Sequence, residues 1–356
     1  MGHPAHFHLF KHAIRLLERK GHECAITCVK KDVLLNLLDA GGYSYTVLGK
    51  FSSTRWGKMI EQLKIEARLY QKVRHFAPDL LIGGPGGMSV AHIGFLCRIP
   101  SVVFDDTEHA RLEHTFMTPF ASTICTPSSY RSDLGIKQVR YNSLHELAYL
   151  HPNYFTPDPA VLSDIGLSPD EPYIVMRFVS WDASHDFGHH GICNKVKLIK
   201  ELEPYGRVLI TSEGPLLPEL RQYQIRVSSE KLHDLLYFAT LYVGEGGTMA
   251  SEAAVLGTHA IHISTTAKYC GTFCDLNLYG LLWTSESDED TIHKAIELLQ
   301  NSELKNLGHA KRDILNNEKI DLTAFMNWFI ENYPESVGII RDNPDFQYRF
   351  RMKGSL

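Results

Sequence analysis

No apolar run in this chain is long enough to cross a membrane. The opening segment, MGHPAHFHLFKHAIRLLERKGH, lacks the clean apolar centre of a secretory signal. It is amphipathic and rich in His, Lys and Arg, and Glu18 with the residues after it argues for a domain helix rather than a transit peptide. Positive charge is not in excess: 36 Lys and Arg stand against 41 Asp and Glu, so nothing points to a nucleic-acid surface. Cysteine is sparse. The seven are odd in number and widely spread, which excludes a disulfide scaffold and fits a reducing cytoplasm. Cys270 and Cys274, near His259 and His262, lack the spacing of a common zinc finger or ribbon and read as core thiols, so no metal site is assigned. Internal repeats and low-complexity tracts are absent as well.

What is present describes an ordinary globular protein. Its 356 residues predict two domains rather than one, and 44% hydrophobic with 22% charged residues is enough apolar surface for two cores. Apolar positions at Phe7, Phe10, Ile14 and Leu17 predict a helix over 6–20. A strand at 23–29, a helix at 32–40 and a strand at 45–48 come next, a βαβ rhythm that implies a parallel sheet. A doubly wound domain usually opens with a strand, and here the first helix begins almost at residue 1. Either the reading frame starts late or the domain lacks its first strand, which would leave a gap at the centre of the sheet.

A long helix at 56–76 leads to the strand DLLIG and a glycine-rich turn, GGPGGMS, at 83–89. The strand SVVF then ends in DDTEHA. Ligands of open parallel sheets bind at the carboxyl edge, and Asp105, Asp106, Glu108 and His109 form a dense ionisable cluster there, fit to take a proton from a sugar hydroxyl. The same residues also read as a helix start, with DDTE capping it. The Pro- and Asp-rich stretch 149–172 marks a linker. The expected domains are 1–155 and 156–334, and 335–356 is expected to form a poorly ordered charged tail.

The second domain holds the stretch on which the functional reading rests, VGEGGTMASEAAVLGTHAIHIS at 243–264. It reads as strand, glycine turn, helix, strand. Gly246 and Gly247 are expected to take positive φ, Thr248 to be the N-cap, and Gly257 to end the helix. A helix whose free N–H groups face a glycine gap is a ready anion site, with phosphate the usual anion. Glu245 and Glu252 flank the turn, and Glu252 is placed to hold ribose hydroxyls. Earlier, VSWDASHDFGHHG at 179–191 packs Trp181, His185, His189 and His190 with two aspartates between a strand and a helix. It reads either as a loop closing on a sugar pyrophosphate, with Trp181 stacked on a base or sugar ring, or as a core tryptophan with surface histidines. A metal is a further option for the histidines. Lys268 and Tyr269 are possible ligand contacts.

The glycine block GGTMASEAAVLGT resembles the donor motif of GT-B glycosyltransferases and UDP-N-acetylglucosamine 2-epimerases. Together with GHPAHFH, ERKGHE, GGPGGMSVAHIGFLCRIPSVVFDDTEHA and RFVSWDASHD, it resembles the prokaryotic family called domain of unknown function 354. The resemblance implies a GT-B-like α/β fold, two Rossmann-like domains facing each other across a cleft, with 1–155 carrying acceptor and catalytic groups, 156–334 binding the nucleotide sugar, and final helices crossing back onto the first domain. It implies that Gly246, Gly247 and Thr248 meet a diphosphate, that Glu252 holds ribose, that SSEKLHDLL lies where the base is held, and that His3 or His6 acts in catalysis or acceptor binding. The expected function is a metal-independent glycosyltransferase using a nucleotide-diphosphate sugar, UDP-linked, in surface glycan or polysaccharide synthesis. No further cofactor is expected, and the acceptor is a sugar or lipid-linked sugar. The setting is cytoplasmic, with at most peripheral membrane association. The alternatives are a nucleotide-sugar 2-epimerase and a non-catalytic nucleotide- or glycan-binding protein.

Overall fold

The structure, a computed structural model, describes residues 1–50, 52, 54–108, 110–179, 192–212, 214–228, 230–265 and 270–352, with only the backbone at 32, 55 and 111. The chain divides into two compact units, Met1–Tyr154 together with the residues from Lys319 onward, and Phe155–Glu318.

In the first unit, α1 (Pro4–Arg19) begins on a proline whose fixed φ suits a first helical turn, and Nδ1 of His3 accepts the Ala5 amide at 3.2 Å. Then come β1 (Ile26–Lys30), α2 (Asp32–Ala40) and β2 (Tyr45–Lys50), the two strands pairing in parallel. Thr54 caps α3 (Arg55–Phe76) through the Gly57 amide, and Ala77, in the left-handed region ahead of Pro78, ends it. The remainder is β3 (Leu81–Gly83), α4 (Met88–Cys97), β4 (Ser101–Phe104), α5 (Arg111–Met117), β5 (Thr123–Pro127), β6 (Gln138–Tyr141) and α6 (Leu147–Leu150). Strands β3 to β6 form a parallel sheet in chain order.

The first unit therefore has its strands in two sheets. Met1 occupies a single position beside β1: its amino group donates to the Thr27 carbonyl and its own carbonyl accepts the Val29 amide at 2.9 Å. That is the bonding pattern of one parallel bridge opposite Cys28. Gly2 and His3 then turn the chain directly into α1.

The second unit runs α7 (Ala160–Asp164), β7 (Tyr173–Phe178), α8 (Lys195–Leu202), β8 (Arg207–Ser212), α9 (Leu232–Phe238), β9 (Leu241–Gly244), α10 (Gly247–Val255), β10 (Ala260–Ile263), α11 (Gly271–Leu278), β11 (Leu282–Ser285), α12 (Asp288–Leu299) and α13 (Leu304–Glu318). Its five strands are parallel in the order β11-β10-β9-β7-β8. Both faces are covered, so β9 and β10 are buried throughout rather than alternating, with His262 the polar member of β10. Ile174, Met176, Val243 and Ile261 make the centre of the core. From β7 the chain winds outward to β8, then returns to β9 and proceeds the other way. The reversal point lies between the carboxyl ends of β7 and β9, where ligands of doubly wound sheets sit.

After α13 the chain rejoins the first unit through α14 (Leu322–Glu331) and α15 (Glu335–Asp342), followed by a 3₁₀ segment, Pro344–Phe350. Asp321 anchors this return: one carboxylate oxygen caps the Ala324 amide, and the other accepts from Asn153 at 2.8 Å and Tyr154 at 2.9 Å. The stretch after Glu335 is not the loose tail its charge suggests. Its aromatic residues outweigh its charges: Phe346 and Phe350 pack on Trp328 with ring centroids 4.8 and 5.6 Å away, and Gln347 is buried and accepts the Asn142 amide. Phe325, fully buried, touches Tyr141, Phe329 and Phe350. Phe325→Ala is expected to cost about 3–5 kcal/mol, read as a lowered urea midpoint.

Candidate functional site

In the second unit the glycine turn sits at the reversal point. Gly246 is the N-cap of α10 and, being glycine, offers no side chain to cap that helix end. Thr248 is therefore not the cap; it is exposed, in the first turn of the helix. Neither Gly246 nor Gly247 has positive φ. Their need for glycine is crowding: a Cβ on Gly246 would lie 3.0 Å from Cγ of Arg177, and one on Gly247 3.0 Å from Cζ of Phe273. Gly257, by contrast, has φ +89° and ends the helix, and its carbonyl closely approaches Gly308 of α13. The turn leaves first-turn N–H groups facing outward beside a buried imidazole. His262 directs Nδ1 at the Gly244 carbonyl, 3.3 Å away, and burial pushes its pKa down to about 4. It is neutral at pH 7, with Nδ1 donating.

The two glutamates of this turn differ. Glu245 is buried and spans the chain ends that flank 180–191: its carboxylate oxygens accept the Val179 amide at 2.9 Å and the Ile192 amide at 2.8 Å. It is a backbone clamp. Glu245→Ala would strand both donors, an expected loss of roughly 2–4 kcal/mol in urea unfolding, with Glu245→Gln losing less. Glu252, in the second turn of α10, is buried and 3.1 Å from Nε2 of His233 on α9. The SSEKLHDLL stretch is thus joined to Glu252 through His233. Trp181, His185, His189 and His190 lie outside the described residues, as do Lys268 and Tyr269, and so does His109 in the first unit.

In the first unit the acids at the end of β4 separate into two pairs. Asp105 is wholly buried, 2.6 Å from Nε2 of His114, and accepts from the Tyr130 hydroxyl at 3.3 Å. The hydrogen bond to Asp105 raises the His114 pKa despite burial. Asp105 thus has no face for a substrate. Asp106 has, with its side chain 25% exposed, and one of its oxygens is 3.0 Å from Nδ1 of His145. Burial opposes charge on both partners, but their mutual attraction wins: the Asp106 carboxyl is held below, and the His145 ring above, its usual range. Nε2 of His145 is buried with no partner among the described residues. Glu108 is buried and accepts the Arg131 amide.

His6 stands beside this pair. Its Nδ1 accepts the Gly2 amide at 3.2 Å, and a Cβ on Gly84, at the end of β3, would lie 3.2 Å from its ring. Loss of solvation pushes its pKa down to about 3, with the nearby amino terminus and His3 adding to the shift. The ring is neutral, and with Nδ1 occupied it presents Nε2–H: as placed here it is a donor, not a base. The start of α1, the β3 turn and the end of β4 therefore come together. His145, His114 and Tyr130 join them unannounced. His145 follows β6 in a stretch with no glycine turn, and only recognition of β6 as a strand would have placed it at the carboxyl edge.

Solved structures share this fold at low identity. A putative UDP-N-acetylglucosamine 2-epimerase from Listeria monocytogenes superposes with a TM-score of 0.60 at 14% identity, over 89% of this chain and 93% of that one. A spinosyn rhamnosyltransferase bound to spinosyn aglycone gives 0.61 at 13%, over 93% and 98%. The fold is α/β with parallel sheets, of the kind shared by GT-B glycosyltransferases and these epimerases. An uncharacterized protein of Methanocaldococcus jannaschii is 25% identical over 265 residues, 71% of this chain and 76% of its own length. Residues 1–316 match the family model described as protein of unknown function, DUF354, and the chain belongs to that family.

Proposed function

We propose that this protein is a glycosyltransferase that takes its sugar from a nucleoside diphosphate, with UDP the nucleotide. The observation that carries the reading is the start of α10 at the reversal point of the second sheet, where the N-cap is glycine and close neighbours leave little room for a side chain at Gly246 or Gly247. N–H groups fixed there would meet the growing charge of the leaving diphosphate, as oriented dipoles do best, so the reading calls for no metal. Gly246, Gly247 and Thr248 are the diphosphate contacts, and Glu252, held by His233, takes the ribose hydroxyls. In the first unit Asp106 accepts the proton of the acceptor hydroxyl as the new C–O bond forms and the diphosphate leaves with its bonding electron pair. His145 holds that carboxylate in place and His6 donates from Nε2. The acceptor is a sugar or lipid-linked sugar of a surface glycan. Seven sparse, widely spread cysteines fit a cytoplasmic setting, and among the described residues no helix is long and apolar enough to cross a membrane.

A second reading, nucleotide-sugar 2-epimerase, is favoured by the concentration of Asp105, Asp106 and Glu108 at one strand end, since C2 deprotonation needs carboxylates. One assay separates the two. UDP-N-acetylglucosamine is incubated with the protein alone and with a panel of sugar acceptors, and the products are resolved by NMR. Transfer only with acceptor supports the transferase. A 2-epimer formed without acceptor replaces it with the second reading.

A further inference from the structure

We propose that the outer face of α3, α4 and α5 is a docking surface for an anionic lipid bilayer. The three helices lie side by side, tied by His92 of α4, whose ring nitrogens are 3.0 Å from Glu66 of α3 and 3.0 Å from the Phe116 carbonyl of α5. The buried side of α3 is Ile65, Leu69 and Val73. Its other side is just as apolar and faces solvent: Trp56, Ile60 and Leu63 recur at helical spacing and are 49 to 74% exposed. Phe95 on α4 continues the stripe at 65%, and Leu112 and Phe116 on α5 extend it at 72 and 51%. Scattered exposed apolar residues are ordinary, but a run across three adjacent helices is not, and such patches mark interaction sites.

Charge selects the partner. The chain as a whole is acidic, at −5, yet α3 alone carries six Lys and Arg against two Glu. Both glutamates are engaged: Glu61 pairs with Lys64, and Glu66 with His92. Lys64 flanks the stripe, Arg74 is exposed on the same side of α3, and Arg98 is exposed just after α4. A helix with a tryptophan-led apolar face and basic residues beside it is suited to lie in the headgroup layer of an acidic membrane. This surface is separate from the nucleotide reading and does not depend on it.

The test is flotation of the full chain with phosphatidylcholine vesicles and with vesicles that also carry phosphatidylglycerol, alongside light scattering for mass in solution. The expected result is a monomer that floats with the anionic vesicles only, releases as salt rises, and blue-shifts its tryptophan emission on binding. Trp56→Phe removes most of that shift. Ile60→Gln with Leu63→Gln, and separately Lys64→Glu with Arg74→Glu, each lowers vesicle affinity about tenfold or more with melting unchanged. Failure to float with either vesicle overturns the proposal. So does a dimer that Leu63→Gln dissociates, which would make this face the seat of a second copy.

Discussion

Asp106→Asn is expected to lower the transfer rate by about 10²–10⁴-fold, the range for loss of a positioned proton acceptor, while nucleotide binding by the second unit is unchanged. The reasoning rests on exposure and pairing. Asp105 is buried against His114 and Tyr130, Glu108 holds the Arg131 amide, and His6 carries its hydrogen on Nε2, so of the three acids after β4 Asp106 is the one that offers a carboxylate with an open side. The substitution also has a signature that a purely structural role would not give. His145 stands above the usual histidine range because Asp106, with smaller contributions from Glu146 and Asp105, outweighs its burial. With Asn at 106 the largest of these opposing charges is gone, and the His145 pKa should fall, followed by NMR of the ring protons against pH. Stability shifts with pH in a defined sense. The raised His145 contributes fully below the ordinary histidine pKa, and that contribution is lost as pH rises through its elevated value. The lowered Asp106 contributes above the ordinary carboxyl range and loses that as pH falls through its depressed value. The ion pair is strongest between the two, and Asp106→Asn should flatten that pH dependence. An unchanged rate with an unchanged His145 titration would remove Asp106 from the chemistry.

Gly247→Val is the second large effect expected. A Cβ there meets Cζ of Phe273 at 3.0 Å and Nε2 of His262 at 3.6 Å, and two further methyl groups would fill the space before the first-turn N–H groups. Overpacking should cost about 1–3 kcal/mol in urea unfolding. Nucleotide binding should fall far more than that, because the diphosphate loses both room and donors. Gly257→Ala is the matched control. It strains a glycine of φ +89° at the far end of the same helix, so it should cost stability without removing nucleotide binding.

Much of this architecture was legible from residues alone. The strands YIVMRF and LYVG, and the helices 195–202 and 288–299, fall where apolar runs and caps placed them. Parallel strands buried on both faces are continuous apolar runs bounded by glycine and proline, which is a strong local signal. Elements with weak local signals were missed. β6 is four residues of alternating burial, QVRY, with no glycine turn, and α11 lies in a stretch rich in Thr, Cys and Gly. The end of the chain read as a tail because its charges are local and visible, whereas its partners, Trp328 and Asn142, lie elsewhere in the sequence. The site divides in the same way. The glycine turn and the β4 acids carry their own pattern. Which acid is open, which is clamped, and that His145 completes the pair depend on contacts between β4, β5 and β6 that no local spacing encodes.

The central claim is that the start of α10 binds a nucleoside diphosphate, and thermal unfolding with UDP tests it most directly. At a hundredfold excess over Kd, binding adds about 2.7 kcal/mol, which for a unit of this size raises Tm by roughly 5–10 °C. The account expects that rise without added divalent metal, and expects it to vanish in Gly247→Val. No rise with any nucleotide, or an equal rise in wild type and Gly247→Val, would contradict it.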